Sequence, residues 1–282
     1  MEESIGKVYI KNTIIQGKDS FKGDITTSGK SLYEVIRVIK GIPLFLEGHI
    51  ERLYNSAVII EKNIWLNKNE IETSIYKLIK ESNITEGNVK LIFNYNNVNN
   101  FYAYFIPHNY PSEGEYKEGV EVIFYHGERE NPNAKVIAAD FRNRVQMEIT
   151  ANGVYEAILV NNKGYITEGS KSNIFLVKDN AVYTSLKKDV LPGITREIII
   201  DLCNRNHIIF KEESIKYTDI SSFQGLFISG TSPKILPISC ILNSEGNIKI
   251  DSTNNSLIQK LIKIYDENLE EYINNNSGHH LR

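Results

Sequence analysis

Residues 168–196 constrain the fold of this chain more than any other stretch of its sequence. Two short apolar segments, 173–177 and 181–184, flank a polar turn, which is the pattern of a β-hairpin. A helix start that contains Pro192 and Gly193 follows directly. Hairpins and capped helices are each common in proteins that mix strands and helices. Their order and close spacing make this combination specific.

The rest of the chain predicts the same mixture, so the fold class is expected to be α+β. Alternating or β-branched segments predict strands at residues 7–11, 31–38, 43–46, 89–95, 101–106, 120–124, 157–160, 165–167 and 225–228. Apolar residues at helical spacing predict helices at 49–60, 69–79 with Asn69 as the cap, 141–151, 195–204 and 257–272.

A break between two domains is predicted at residues 108–119. This segment has no apolar periodicity and contains Pro111, Gly114 and Gly119, which is typical of a linker. The sequence therefore predicts a small N-terminal α+β domain over residues 1–112 and a larger C-terminal domain over residues 113–282. The last residues, 274–282, are expected to fray.

Composition excludes several classes of function. With 41% hydrophobic residues, 24% charged residues and a net charge of -3, the chain has no electrostatic basis for binding nucleic acid or a membrane surface. No apolar run approaches a membrane span, and the first residues lack the order of a signal peptide. Cys203 and Cys240 have apolar neighbours and no ligand spacing, so we expect free thiols in a reducing cytoplasm and no metal site.

One carboxylate and one helix start suggest a ligand with a basic ring nitrogen and a phosphate. Glu168 ends a predicted strand, where a carboxylate can hold a proton on an aromatic nitrogen, although an isolated strand-end acid is more often solvated. The helix start beyond Leu191 offers free N–H groups to an anion, and there Gly193 permits close approach and Thr195 adds a hydroxyl.

Two further residues can complete a phosphate site. Thr231, in the turn Gly230-Thr231-Ser232, supplies another hydroxyl, and Arg52 supplies a charge that can bind two oxygens. Ordinary turn chemistry and a solvated helix arginine are the alternatives for these residues. The chain has no Gly-x-x-x-x-Gly-Lys-Ser/Thr or Gly-x-Gly-x-x-Gly motif, which disfavours nucleoside triphosphates and dinucleotides.

These residues together resemble a known family. Residues 168–196 are similar to the signature of the class IV (fold type IV) pyridoxal-phosphate aminotransferases, which include branched-chain aminotransferases, D-amino acid transaminase and aminodeoxychorismate lyase. The pattern in this chain is Glu168, Asn173-Ile-Phe175, Thr184, Leu191, Gly193-Ile194 and Arg196. Further matches run from about residue 31 to 240 and include His49-Ile-Glu-Arg52-Leu and Ser229-Gly230-Thr231-Ser232.

The resemblance implies a two-domain fold of the D-amino acid aminotransferase type, with pyridoxal 5'-phosphate at the domain interface and a homodimeric assembly. Glu168 would bind the pyridine nitrogen, and Arg52 the phosphate, with Gly193, Ile194, Thr195 and Thr231 completing the phosphate site. The lysine that binds the cofactor's aldehyde is expected to be Lys135, because it precedes Glu156-Ala157 by the interval found in the D-amino acid transaminase and lyase branches.

The implied activity is amino-group transfer between an amino acid and a 2-oxo acid. Aminodeoxychorismate lyase activity, as in 4-aminobenzoate synthesis for folate, is an alternative, and a catalytically altered relative that binds the cofactor is another. Two departures from the family leave the substrate and its stereochemistry open. Val136-Ile137-Ala138 follows the lysine in place of the usual asparagine segment, and Asn94-Tyr95-Asn96 replaces an arginine-bearing loop.

Overall fold

The computed structural model describes residues 2–277, and these divide into two compact units. The first unit contains residues 2–109, 134–137 and 269–277, and the second contains 110–133 and 138–268. Both units combine helices with sheets, which confirms the predicted α+β class. The predicted domain limits, 1–112 and 113–282, stay a prediction.

The first unit is built on a six-stranded sheet with the order β2-β1-β6-β5-β3-β4, in which every neighbouring pair is antiparallel. Its strands are β1 (Val8–Lys11), β2 (Ile14–Gly17), β3 (Lys30–Ile39), β4 (Ile42–Pro43), β5 (Gly87–Tyr95) and β6 (Asn100–Ile106). The α-helices that lie entirely within this unit are α1 (Leu46–Ile59) and α2 (Lys68–Ser82).

The two faces of this sheet differ because side chains alternate along each strand. One face packs against α1 and α2 through residues such as Leu53 and Ile75. The other face is rich in tyrosine and includes the buried Tyr33 and Tyr104. Side chains of one strand therefore pack into two separate apolar clusters, one on each face of the sheet.

The second unit is built on a nine-stranded mixed sheet with the order β12-β11-β10-β13-β14-β7-β8-β9, and β15 also pairs with β14. Its strands are β7 (Val120–His126), β8 (Glu156–Val160), β9 (Ile166–Gly169), β10 (Asn173–Lys178), β11 (Ala181–Thr184), β12 (Ile209–Glu212), β13 (Gly225–Gly230), β14 (Lys234–Leu242) and β15 (Ile248–Lys249). Its complete helices are α3 (Glu113–Glu118), α4 (Ala139–Asn152) and α5 (Ile194–Arg205).

Helices α5 and α6 (Ser256–Asn276) supply much of one core of this unit. Phe175 and Phe227, on neighbouring strands, stack with ring centroids 4.9 Å apart in that core. Residues 269–276 of α6 belong to the first unit, where Leu269 and Ile273 pack with Ile42. No helix among residues 2–277 is long and apolar enough to cross a membrane.

Several predicted boundaries were wrong. Of the predicted strand 43–46, only Pro43 lies in a strand, β4, and α1 begins at Leu46. The cap of α2 is Asn67, whose side chain accepts from the Glu70 amide. The predicted linker contains α3, which Ser112 and Glu115 cap reciprocally. Of the predicted frayed end, residues 274–276 are helical and residues 278–282 lie outside the described part of the chain.

Candidate active site

Arg52 is held in the first unit by a buried carboxylate. Arg52 lies on α1, and Glu34 lies on β3. The Arg52 Nε donates to Glu34 Oε1 (2.8 Å), and the Arg52 Nη2 donates to Glu34 Oε2 (2.6 Å). His49, one turn earlier on the same helix, lies 2.8 Å from Glu34 Oε2 through its Nδ1. All three side chains are buried, so the predicted phosphate ligand is not a solvated helix arginine.

The protonation states of this cluster follow from its charges. Burial alone raises the pKa of Glu34, but the charge of Arg52 and the hydrogen bonds from Arg52 and His49 together lower it to about 2. Burial lowers the pKa of His49, and the charges of Arg52 and Lys135 act in the same direction against the opposing effect of Glu34. At neutral pH, therefore, Glu34 is an anion and His49 is a neutral ring that donates from Nδ1.

Lys135 lies in the same unit as Arg52 and is fixed through its backbone. Its N–H donates to Ser56 Oγ (3.1 Å), and its carbonyl oxygen accepts from the Tyr33 amide (3.1 Å). Its Nζ lies 4.8 Å from the centroid of the Tyr33 ring. Because its charge also reaches His49, the first unit groups the predicted lysine with the Arg52 cluster.

Glu168 lies in the second unit, near the end of β9, and is 3% exposed. Its Oε1 accepts from Nη1 of Arg129 (3.0 Å), and its Oε2 accepts from the Leu191 amide (2.9 Å). The carboxylate is thus a buried, charge-paired group rather than a solvated acid at a strand end.

The segment that leads into α5 is fixed by Asn173. The Asn173 Nδ2 donates to the Leu191 carbonyl oxygen (3.0 Å). A Cβ on Gly193 would lie 2.1 Å from Asn173 Oδ1, so a larger residue here would displace the Asn173 side chain. The backbone of Leu191 therefore binds Glu168 through its N–H group and Asn173 through its carbonyl oxygen.

The start of α5 is suited to an anion. The helix begins at Ile194, its N-cap residue Gly193 has no side chain to cap it, and the Thr195 side chain is buried. Uncapped amides at a helix start, together with the helix dipole, favour negative charge. Thr231 follows β13, where Ser229 pairs with Asn173 across the sheet, so its turn lies at the same end of the two strands.

A second buried carboxylate, Glu156, fixes the turn that follows Glu168. Its oxygens accept from the hydroxyls of Ser170 and Ser172 and from the amides of Ser170 and Ala157. A Cβ on Gly169 would lie 2.0 Å from Ser172 Oγ, which explains the glycine in this tight turn. The buried Glu156 therefore fixes the turn at residues 169–172, which is part of the predicted signature.

Each unit by itself contains groups that suit part of a cofactor with a phosphate and a basic ring nitrogen. The first unit contains Arg52 and Lys135, which offer a cation for phosphate and an amine for an aldehyde. The second unit contains the buried carboxylate of Glu168 for the ring nitrogen, the uncapped start of α5 (Gly193, Ile194 and Thr195) for phosphate, and the hydroxyl of Thr231. In addition, Ser229 Oγ is fully buried and has no hydrogen-bond partner in the structure. Among residues 2–277, no three His, Cys, Asp or Glu side chains form a group that could hold a metal ion.

Sequence reasoning missed the partners of these residues. Glu34, His49 and Glu156 lie inside the matched segments, but no local pattern indicates what they bind. Arg129 lies in a charged loop without periodicity, so nothing in the sequence marks it as a partner of Glu168.

Comparisons with known proteins identify the family of this chain. The family model described as amino-transferase class IV matches residues 31–241. A D-alanine aminotransferase of Listeria monocytogenes is 30% identical over 254 residues, which cover 83% of this chain and 87% of the relative.

Two solved structures share the fold. The branched-chain amino acid aminotransferase of Escherichia coli has a TM-score of 0.82 at 20% identity and is covered over 94% of both chains. A branched-chain amino acid aminotransferase of T.th., solved with pyridoxamine 5'-phosphate, has a TM-score of 0.84 at 20% identity, with 96% of this chain and 98% of that chain covered. The predicted fold type is thereby confirmed.

Proposed function

This chain belongs to the class IV aminotransferase family, and we propose that Lys135 is the residue that binds the cofactor and moves the proton. Enzymes of the family use pyridoxal 5'-phosphate to transfer an amino group between an amino acid and a 2-oxo acid, and this is the reaction of this chain. The observation that carries the choice of lysine is the fixed backbone of Lys135, bound at both its N–H and its carbonyl oxygen, in the unit that contains Arg52.

Each side chain has a distinct task in this proposal. Bound pyridoxal phosphate supplies a ring that withdraws electrons, and Glu168 holds the proton on the ring nitrogen as Arg129 and the Leu191 amide keep the carboxylate in place. The freed amine of Lys135 would take the proton from the substrate's Cα and deliver it to the cofactor carbon that carried the aldehyde. The phosphate would be bound by Arg52, Gly193, Ile194, Thr195 and Thr231.

Chemical trapping tests the choice of lysine. The protein is mixed with pyridoxal phosphate, reduced with borohydride and digested, and the cofactor's mass is sought on each lysine peptide. We expect the label on Lys135, and we expect Lys135→Ala to lose both the label and amino-group transfer. Lys171→Met is the matched control, because Lys171 lies inside the family signature and its Nζ donates to Gln146 instead. A label that stays on another lysine in Lys135→Ala contradicts the proposal.

The substrate is proposed from the relatives. The similarity to a D-alanine aminotransferase makes D-alanine the first amino donor to test, with 2-oxoglutarate as acceptor and L-alanine as the stereochemical control. Aminodeoxychorismate lyase activity stays the alternative. It predicts pyruvate release from the chorismate-derived substrate without an amino acceptor, whereas transfer requires the acceptor. If the protein binds the cofactor but forms neither pyruvate nor the product of amino-group transfer, it is a catalytically altered relative.

We also propose a cytoplasmic homodimer with domains at residues 1–112 and 113–282. The resemblance to the family supports the dimer, and the free buried thiols Cys203 and Cys240 support a reducing compartment. Light scattering after size-exclusion chromatography measures the oligomeric state, and limited proteolysis within residues 107–113 tests the domain limit.

A further inference from the structure

The ring of Tyr33 has two lysine amines beside it. Tyr33 lies on β3 and is 4% exposed. The Lys135 Nζ lies 4.8 Å from its centroid, and the Lys90 Nζ lies 5.5 Å from it. An aromatic ring attracts a cation within about 6 Å of its centroid through the negative charge on its face. Both contacts meet that condition.

The two amines make different contacts. Lys90, on β5, donates to both carboxylate oxygens of Glu2, at 2.6 and 2.7 Å, and Glu2 also accepts from the hydroxyl of Tyr104 at 2.8 Å. The contacts of Lys135 include its backbone hydrogen bonds and the Tyr33 ring. Its backbone is bound to Tyr33 and Ser56, and its Nζ faces the ring. The charge of Lys90 is thus compensated locally, while the ring faces the amine that the proposed reaction requires.

We propose that Tyr33 is a positioning residue for Lys135, and that its ring holds the protonated amine once this amine has left the cofactor. This inference rests on the proposed function of Lys135. A lysine side chain is a flexible carbon stem with a large rotamer entropy, so an amine without a fixed contact would move away from the place where it must act. The Tyr33 amide donates to the Lys135 carbonyl oxygen, so the ring lies beside the backbone that carries the amine. This arrangement keeps the amine near one position.

The contact also stabilises one protonation state. The ring attracts the ammonium form and not the neutral amine, so it favours Lys135 after the amine has taken a proton. Other charged or titratable groups near this amine include His49 on α1, whose pKa the charge of Lys135 lowers, and Lys90 on β5, which contacts the same ring. These groups stay unchanged when only the ring is altered.

The test measures the amine of Lys135 in the full chain without added cofactor. The protein is labelled with acetic anhydride over a range of pH, and the labelling of each lysine peptide is read by mass spectrometry. Tyr33→Phe keeps the ring, and Tyr33→Leu removes it. Loss of a cation–π contact should make labelling of Lys135 about 2- to 30-fold faster in Tyr33→Leu below the pKa of the amine. Tyr33→Phe should change it by less than about 2-fold, because the ring face is kept, and the Lys171 peptide should not change.

A second series separates the ring's charge from its shape. Phenylalanine with an increasing number of fluorines at position 33 weakens the attraction while the ring stays in place, and the emission of Trp65 checks that the unit remains folded. We expect labelling of Lys135 to increase with fluorination, and by more than labelling of Lys90, which Glu2 holds. Equal labelling across the series overturns the proposal. If borohydride traps the cofactor on another lysine, the function of Lys135 fails, but the titration still decides whether Tyr33 holds its amine.

Discussion

The two buried carboxylates Glu34 and Glu168 each bind an arginine, but in different ways. In the first unit, Arg52 donates to both oxygens of Glu34, and His49 adds a third contact. In the second unit, Arg129 donates to one oxygen of Glu168 and the Leu191 amide donates to the other. Glu34 therefore orients a cation, whereas Glu168 is itself the group being oriented. The same residue type orients a cation in one unit and is the proposed ligand-binding group in the other.

The largest effect should come from Glu34→Gln. This change leaves Arg52 buried without its counter-charge, which costs about 3–5 kcal/mol of unfolding free energy. Urea unfolding followed by Trp65 measures it, because Trp65 is the only tryptophan of the chain and packs against Phe93 in the same unit. Glu70→Gln is the matched control on an exposed carboxylate, and we expect a change within about 0.5 kcal/mol. Similar losses in both variants would show that the Glu34 pair has no special weight.

Acid should weaken the first unit in two steps. The unfolded chain binds a proton at Glu34 near pH 4.5, whereas the folded protein does so only near pH 2, so stability present above pH 4.5 is lost as the pH falls towards 2. The shift corresponds to about 3 kcal/mol. His49 acts in the same direction earlier, since its lowered pKa means that the unfolded chain takes up the proton first as the pH falls below 6.5.

Unfolding of the protein between pH 7 and pH 2, followed at Trp65, measures both steps. Glu34→Gln should be less stable at neutral pH but lose less stability below pH 4.5. His49→Gln should lose less between pH 6.5 and 4.5. Parallel curves for the protein and both variants would contradict the assignment of these charges.

The smallest effect should come from Arg129→Met, and it should affect the cofactor more than the fold. A hydrogen bond to a charged group contributes about 1.5–3 kcal/mol, so loss of the Arg129 contact should weaken cofactor binding by about 10-fold or more. Absorbance titration with pyridoxal phosphate measures this affinity. Arg129→Lys keeps the charge and should restore part of it, and the exposed Arg144→Met is the control. If Arg129→Met lowers stability as much as Glu34→Gln does, the two carboxylates are not different in kind.

Much of the fold could be predicted from local pattern. The hairpin of β5 and β6 and the apolar spacing of α1 were predicted to within a few residues, since burial of one face imposes a repeat on the sequence. Two of the missed strands, β2 and β12, are short and mostly exposed, so they carry no such repeat. A third, β14, is largely buried and was also missed. The missed helix α3 did have a signal, because Ser112 and Glu115 stand at the spacing of a capping box.

The sequence by itself indicated the family and its cofactor through the resemblance of residues 168–196 to the family signature, because a signature depends on residue type and spacing along the chain. It also gave Glu168 and Gly193 as candidates for the cofactor site. Only the tertiary structure decided that Glu34 binds Arg52, that Arg129 binds Glu168, and that the ring of Tyr33 lies under the amine of Lys135. Each of these contacts joins segments that are distant in sequence. Whether such side chains meet depends on how strands and helices pack, and no local repeat records that packing.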